Sequence, residues 1–363
     1  IGSGLVGSEM CIRDRIKAEY ATLKPEDIKL IDPCMGSGHI LVYAFDVFMQ
    51  IYENAGWSQR DAAQSVIQNN IYGLDIDDRA AQLSYFAVLM KARQYDRRIL
   101  TRGIEPNVYA VQESNDINRG QLKYFGVGLV EEEKNASLMQ IEGLLNILND
   151  AKEYGSLLNV EDYDWELLEK FVENTDTESQ ISFETYGLDE TAEKLKELIE
   201  IGAVMAQKYE VVATNPPYAG TGSLSIKLNI YLKHHYTDSK ADMFAVFIER
   251  CKKFLQRYGL QTMITQQSLL FLSGFDKLRM KIKDELNFLS VVHMGLGAFG
   301  TDFGTVAFVI RKSVIEQYIC GFYYLGEKKT CEDKEKLFLS EKKPKYTHSL
   351  LEFSKLPNYT FSY

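Results

Sequence analysis

Short apolar runs alternate with longer amphipathic stretches in the first part of the chain, and this alternation constrains the fold more than any other feature. The run IKLID (28–32) is followed by helical spacing over 39–56, and IYGLD (71–75) by helical spacing over 79–94. A third run, NVYAVQE, occupies 107–113. Strand–helix alternation of this kind predicts an α/β fold, with a parallel sheet covered by helices on both faces.

The same alternation returns in the second half of the chain. Helical patterns and apolar runs follow one another there, with helices predicted over 190–207, 242–259 and 275–286, and strands over 209–215, 260–266, 288–294 and 304–312. The last two strands are close enough in sequence to pair with each other. We therefore expect a mostly parallel sheet with an antiparallel strand near the C-terminal end.

A strongly acidic segment separates the two halves. Residues 113–200 carry 22 acidic and 7 basic side chains, a net charge of −15, whereas the whole chain of 363 residues has a net charge of −10. We interpret 114–200 as a helical, solvated insertion between two parts of a catalytic domain, 16–113 and 201–325. Because the rest of the chain is mildly basic, total charge does not exclude a polyanionic partner.

The two ends of the chain fit no regular element. Residues 1–15 read IGSGLVGSEMCIRDR, which predicts neither a helix, a strand nor a signal peptide and resembles translated sequencing-adapter read-through. Residues 326–363 are expected to be a truncated connection to a missing target-recognition region.

No apolar run reaches the length of about 18 residues that spans a membrane, and the five cysteines are scattered. We expect a cytoplasmic protein without a membrane partner or a bound metal.

The turn DPCMGSGHI (32–40) follows the first strand and opens the first long helix. Its glycines would let a ligand approach the backbone closely, although Gly-rich turns also occur without ligands. The turn lacks the Lys-Ser/Thr of a Walker A motif and does not match GxGxxG, so a dinucleotide pyrophosphate is disfavoured. Asp32 before the glycines would repel phosphate and attract an ammonium or sulfonium group.

Asp75 ends the next strand, where an acidic side chain accepts hydrogen bonds from ribose hydroxyls. Taken alone, Asp75 or Asp77 could equally be a helix N-cap. Together these features indicate S-adenosyl-L-methionine as the cofactor rather than NAD. They are a carboxylate that attracts a cation, a backbone that a ligand can approach closely, and an acidic side chain that binds ribose.

The segments DPCMGSG, GLDID and VVATNPPY, in that order, resemble motifs I, II and IV of the amino-methyltransferases that modify exocyclic nitrogens. Over 32–56 and 69–93 the chain resembles, at greater length, the PglX-type adenine-specific DNA methyltransferases of BREX phage-defence systems and related type IIG-like enzymes. The resemblance implies a Rossmann-like S-adenosylmethionine-dependent methyltransferase fold, and double-stranded DNA with a flipped adenine as the substrate. Other phage-defence subunits are implied as further partners.

The resemblance also implies roles for individual residues. The cofactor would be bound by Asp32, Pro33, Gly36, Ser37, Gly38, Asp75, Ile76 and, in a weaker match, Glu113 or Gln112. The catalytic turn would comprise Asn215, Pro216, Pro217 and Tyr218. In the family, the Asn side-chain oxygen and the first Pro carbonyl accept both hydrogens of the target NH₂ group. The Tyr ring stacks on the base, and Phe299 or Phe303 would contact it.

Several alternatives remain open from the sequence. Glutamine-N5 protein methyltransferases also use Asn-Pro-Pro-Tyr, although they are usually smaller. Cytosine-N4 methyltransferases tend to have Ser in place of Asn215. A catalytically silent DNA-binding subunit could retain the same fold, and no nuclease signature is apparent for a restriction activity.

Overall fold

The computed structural model describes residues 3–174, 186–300, 303–315 and 318–362, with the backbone alone described at 3–11 and 300. Within these ranges the strands form a single sheet of nine members. The strands are β1 (Leu30–Asp32), β2 (Ile71–Asp75), β3 (Asn107–Ala110), β4 (Tyr209–Thr214), β5 (Leu255–Gln266), β6 (Asn287–Gly295), β7 (Thr305–Arg311), β8 (Ile319–Tyr324) and β9 (Lys345–Ser349).

Helices precede, connect and cover these strands. They are α1 (Ser3–Thr22), α2 (His39–Asn54), α3 (Gln59–Ser65), α4 (Asp78–Tyr95), α5 (Glu131–Ile147), α6 (Ala151–Tyr154), α7 (Trp165–Glu173), α8 (Leu188–Ala206), α9 (Ile226–His235), α10 (Met243–Phe254), α11 (Asp276–Glu285), α12 (Cys331–Leu339) and α13 (Leu350–Phe353). No helix among the described residues is both long enough and apolar enough to cross a membrane.

The sheet order is β3-β2-β1-β4-β5-β7-β6-β8-β9, and the first five of these strands run parallel. The central strand β1 pairs with β2, where Asp32 lies opposite Gly73, and with β4, where Ile31 lies opposite Val212. Because neighbouring parallel strands end at the same edge, the turns that follow β1, β2 and β4 meet there.

The predicted fold class is confirmed. Strand β7 is antiparallel to both β5 and β6, as the short spacing between the last two predicted strands indicated. The parallel strand β8 and the antiparallel strand β9 extend the sheet further. Neither strand was predicted. Strand β9 lies within 326–363, the segment that we expected to be a connection.

Two local expectations were wrong, and one helix was missed. Residues 3–22 form helix α1, which is held by tertiary contacts: Ile16 packs on Tyr258, and the Tyr20 hydroxyl donates to the Tyr258 carbonyl oxygen over 2.7 Å. The helix predicted over 242–259 ends at Phe254, because the following residues pair with β4 instead. Helix α9 was not predicted; its N-cap Ser225 accepts a hydrogen bond from the Leu228 amide.

The acidic insertion is helical, as expected, and comprises α5 to α7 and most of α8. Its helices are amphipathic, and buried side chains such as Leu144, Phe171 and Leu198 belong to the same apolar core as strands β4 and β5. Helix α8 continues across the proposed boundary at residue 200. Residues 175–185 of the insertion lie outside the described residues. The division of the chain into domains stays a prediction.

We expect Gly38→Ala to destabilise the fold more than Gly56→Ala. Both glycines have a positive φ, +79° and +85°, which costs an L-residue about 1–2 kcal/mol. An added Cβ at residue 38 would also lie 2.4 Å from Ser84 Oγ and 3.0 Å from Ser84 Cα, whereas at residue 56 it would meet nothing within 4 Å. Thermal unfolding of the two variants measures the difference, and equal melting temperatures would contradict a packing role for Gly38.

Candidate functional site

A cavity of about 330 Å³ opens at the edge where β1, β2 and β4 end. It is large enough for a small-molecule ligand. Four parts of the chain line it: the Gly-rich turn (Pro33, Cys34), the end of β2 (Asp75, Ile76), the insertion (Glu153, Tyr154, Gly155, Ser156, Leu157), and the segment from the Asn-Pro-Pro-Tyr turn to α10 (Asn215, Pro217, Leu228, Met243, Phe247).

The Asp75 carboxylate holds the Gly-rich turn against the end of β2. One of its oxygens accepts a hydrogen bond from the Gly36 amide over 2.9 Å, and the other accepts from the Asp77 amide over 3.0 Å. A carboxylate offers about four acceptor positions, so Asp75 retains acceptor capacity toward the cavity. The N-cap of α4 is Asp77, whose carboxylate accepts from the Arg79 and Ala80 amides.

The two glycines that were predicted to bind the cofactor differ in their surroundings. A Cβ added at Gly36 would meet nothing within 4 Å, so the backbone there is open to a ligand. Gly38, the N-cap of α2, instead lies against Ser84 of α4. Because Gly38 has no side chain, α2 and α4 can approach each other closely. Ser37 between them is half-buried and does not line the cavity.

Asp32 lies behind the turn, with 1% of its surface exposed. Its Oδ1 accepts a hydrogen bond from Thr214 Oγ1 over 2.6 Å and from the Cys34 amide over 3.0 Å. Burial, together with a smaller effect of the nearby Asp75 charge, raises the pKa of Asp32 to about 7, although these two hydrogen bonds act to lower it. Asp32 therefore links β1 to β4, and its side chain does not line the cavity.

The Asn-Pro-Pro-Tyr turn presents Asn215 and Pro217 to the cavity and buries Pro216. The Tyr218 hydroxyl lies 2.6 Å from Asn215 Oδ1 and 3.0 Å from the Ile264 carbonyl oxygen. Burial raises the pKa of Tyr218 to about 12, so the hydroxyl is a proton donor at neutral pH. Since it carries one proton, it donates to one of these oxygens at a time.

The Tyr218 ring is half-buried among other aromatic rings. Phe303 meets it edge-on with ring centroids 5.2 Å apart, and Phe244 lies 6.4 Å away. Phe299, the other candidate for base contact, is 60% exposed.

Glu113 lies three residues beyond the end of β3 and is exposed, and Gln112 donates to the Asp78 carboxylate over 2.9 Å. Neither Glu113 nor Gln112 lines the cavity.

The structure thus brings two predicted groups of residues to one cavity. Pro33, Asp75 and Ile76 come from the predicted cofactor site, and Asn215 and Pro217 come from the predicted catalytic turn. The direct bond between Asp32 and Thr214 fixes the two groups relative to each other.

The contribution of the insertion was missed by the sequence reasoning. Ser156 Oγ donates to the Pro33 carbonyl oxygen over 2.6 Å, and the buried Arg250 Nε donates to the Ser156 carbonyl oxygen over 2.7 Å. The positive φ of Gly155, +55°, places its backbone against Ile76. A single Gly-Ser pair within an acidic helical segment carried no signal that distinguished it from an ordinary turn.

The described lining of the cavity contains two carboxylates, Asp75 and Glu153, and no Lys, Arg or His. Such a lining disfavours phosphate groups and favours a neutral or positively charged ligand. The apolar side chains of Ile76, Leu157 and Phe247 can cover a flat ring. This set of residues fits a cationic nucleoside-type cofactor such as S-adenosylmethionine.

A family model described as Eco57I restriction-modification methylase matches residues 69–299. This range contains the end of β2, the insertion and the Asn-Pro-Pro-Tyr turn. The chain belongs to the Eco57I restriction-modification methylase family.

Curated relatives of this Eco57I-family chain agree with the resemblance seen in its motifs. It is 35% identical to the adenine-specific methyltransferase PglX of Lacticaseibacillus casei (strain Zhang) over 89% of its length, and 35% identical to the adenine-specific methyltransferase BrxX of Escherichia coli O9:H4 (strain HS) over 94%. The resemblance to PglX is confirmed. The chain spans only 27% and 30% of these two relatives.

A solved structure supports the fold of this Eco57I-family chain. It is a nuclease-deletion mutant of the type ISP restriction-modification enzyme LlaGI in complex with a DNA substrate mimic, and it aligns with a TM-score of 0.54. The alignment covers 92% of this chain and 25% of that chain at 12% identity.

We expect the melting temperature of Asp32→Asn, relative to that of the unmodified chain, to rise as the pH rises from 5 to 8. The pKa of Asp32 is about 7 in the folded chain and 3.8 in the unfolded chain. The free energy of unfolding of the unmodified chain therefore falls as the pH rises between these two values. Asn keeps the acceptor for Thr214 and Cys34 but carries no charge, and each unit of pKa displacement corresponds to about 1.4 kcal/mol. Melting temperatures of both proteins at both pH values measure this, and a pH-independent difference would contradict the raised pKa.

Proposed function

We propose that the chain is the catalytic part of an S-adenosylmethionine-dependent, site-specific DNA methyltransferase that modifies N6 of adenine. The observation that supports this most strongly is the single cavity that Asp75 and Ile76 share with Asn215 and Pro217. A methyl donor bound on the β2 side would lie beside an amine held on the β4 side. The names of the two curated relatives support adenine as the target.

The cofactor would be held mainly by the two turns that follow β1 and β2. Asp75 would accept hydrogen bonds from its ribose hydroxyls, Ile76 would lie against its adenine, and the backbone of Pro33 to Gly36 would approach its methionine part. When bound, this cofactor supplies an activated methyl group on a positively charged sulfur.

Asn215 and Pro216 would orient the target amine. The side-chain oxygen of Asn215 has two acceptor positions, so Tyr218 can donate to one of them while the amine donates to the other. The Pro216 carbonyl oxygen would accept the second hydrogen of the amine. Accepting both hydrogens directs the nitrogen lone pair toward the methyl donor, so catalysis here depends on positioning.

Adenine must leave the DNA duplex to reach this cavity, at a cost of a few kcal/mol. Stacking on an aromatic ring returns roughly 1–3 kcal/mol for each base. The Tyr218 ring of the Asn-Pro-Pro-Tyr turn, or the Phe303 ring beside it, could provide this stacking. The resemblance of the motifs to the enzymes of BREX phage-defence systems leads us to propose phage defence by methylation as the setting, with other defence subunits as partners.

The test begins with calorimetric binding of S-adenosylmethionine to the full chain, followed by transfer of a labelled methyl group to duplex DNA. We expect N6-methyladenine in the digested product. N4-methylcytosine would indicate the cytosine alternative, and label on protein glutamine would indicate the protein methyltransferase. Cofactor binding without transfer to any substrate would support a catalytically silent DNA-binding subunit instead.

We expect Asn215→Ala to slow methyl transfer by roughly 10²- to 10³-fold, the scale of losing one aligned polar contact in the transition state. Cofactor affinity should remain within about twofold, because the cofactor-side residues are unchanged. Single-turnover rates and calorimetry measure the two quantities separately. Transfer by the variant at the rate of the unmodified chain would exclude Asn215 from the reaction.

We expect Asp75→Ala to weaken cofactor binding by at least about tenfold, because it removes the ribose acceptor and the bond that holds Gly36. Asp77→Ala is the matched control, since Asp77 also follows β2 but only caps α4. The control should lose about 1 kcal/mol of stability and keep its cofactor affinity. An unchanged dissociation constant in Asp75→Ala would remove Asp75 from the site.

A further inference from the structure

The loop that crosses the cavity from the insertion includes α6, and we call residues 150–157 the strap. It lies between the two halves of the cavity and supplies five of the lining residues. The strap also supplies Glu153, one of the two carboxylates in the described lining. No motif in the sequence assigns a role to this residue.

The strap is anchored to both halves of the site. On the β2 side, Lys152 pairs with Asp78 over 2.6 Å, and its Nζ lies 3.3 Å from the Ile76 carbonyl oxygen. On the α9 side, Lys227 pairs with Asp150 over 2.9 Å. A loop tied at both sides holds its side chains in a fixed place relative to the cavity.

Aromatic and backbone contacts hold the rest of the strap. The Tyr154 ring packs on Tyr231 with centroids 4.6 Å apart, and the Tyr236 hydroxyl donates to the Leu157 carbonyl oxygen over 2.9 Å. Gly155 leaves no room for a side chain, because an added Cβ would lie 2.3 Å from Ile76 Cγ2. The strap therefore presents Glu153 from a rigid backbone.

Within the part of the chain that the structure describes, the Glu153 carboxylate has a hydrogen-bond donor but no ion-pair partner. The donor is Ser225 Oγ. Lys152 forms its ion pair with Asp78, and Lys227 forms its ion pair with Asp150. The charge of Lys227 also interacts with Glu153, but the two side chains form no ion pair. A half-buried carboxylate beside a cavity without basic residues attracts a cation.

We propose that Glu153 recognises a positively charged group of the cofactor, either the sulfonium or the α-ammonium. This inference rests on the proposed function. The acidic insertion would then add a charged group to the ligand site, next to the Gly-rich turn that Ser156 contacts. Asp75 has a different role in this proposal, because each of its oxygens accepts from a backbone amide and its remaining acceptor positions are those assigned to the ribose hydroxyls.

The test compares the unmodified full chain with Glu153→Gln in calorimetric titrations with S-adenosylmethionine and with S-adenosylhomocysteine, which lacks the sulfonium charge. Gln removes the charge and keeps an acceptor for Ser225. We expect affinity for S-adenosylmethionine to fall about tenfold. An equal fall for S-adenosylhomocysteine would indicate recognition of the α-ammonium, and a fall confined to S-adenosylmethionine would indicate the sulfonium.

Two further variants separate recognition of charge from other effects. Glu142→Gln removes a carboxylate of the same insertion that pairs with Arg119 on the surface, and it should leave affinity unchanged. Ser225→Ala removes the hydrogen bond to Glu153 but not its charge, and it should lower the melting temperature while keeping affinity within about threefold.

Three results would overturn the inference. Affinities in Glu153→Gln within about twofold of the unmodified chain would show that the charge is not used. An equal loss in Glu142→Gln would show an effect of net charge, and an equal loss in Ser225→Ala would show that Glu153 only anchors α9. If the unmodified chain bound neither compound, the proposed function itself would fail, and this inference would fail with it.

Discussion

The parallel pairing of β1 with both β2 and β4 determines where every chemical group of the cavity lies. Strand β1 has only three residues, and their backbone bonds bring the ends of β2 and β4 to the same edge of the sheet. The hydrogen bond between Thr214 and Asp32 joins the ends of β4 and β1 through side chains. Without this pairing, the Gly-rich turn and the Asn-Pro-Pro-Tyr turn would have no shared cavity. Asp32 itself is buried at a cost, since burial raises its pKa to about 7.

The acidic insertion has a structural role that its charge conceals. Its helices bury one face in the main core, and the strap between α5 and α7 forms a wall of the cavity. The buried Arg250 connects this wall to α10 by donating to the Ser156 carbonyl oxygen, and its guanidinium lies 3.8 Å from the centre of the Phe254 ring. The same segment can therefore be solvated on one face and shape a ligand site on the other.

The sequence allowed the parallel sheet and the two turns to be predicted, because both depend on local patterns. Hydrophobic periodicity located β1, β2 and β4, and the Asn-Pro-Pro-Tyr segment identified the turn after β4. What could not be predicted depends on tertiary contacts. The strap reaches the cavity through bonds such as that between Ser156 and Pro33, which join residues 123 positions apart. Helix α1 and the early start of β5 likewise depend on distant partners.

The most direct test of this account is a structure of the chain with S-adenosylhomocysteine bound. The account predicts that the ligand occupies the cavity between Asp75 and Asn215, with its ribose on the Asp75 carboxylate and its sulfur facing the Asn-Pro-Pro-Tyr turn. A ligand bound elsewhere on the sheet, or bound with its sulfur directed away from Asn215, would contradict the claim that the two turns form one site.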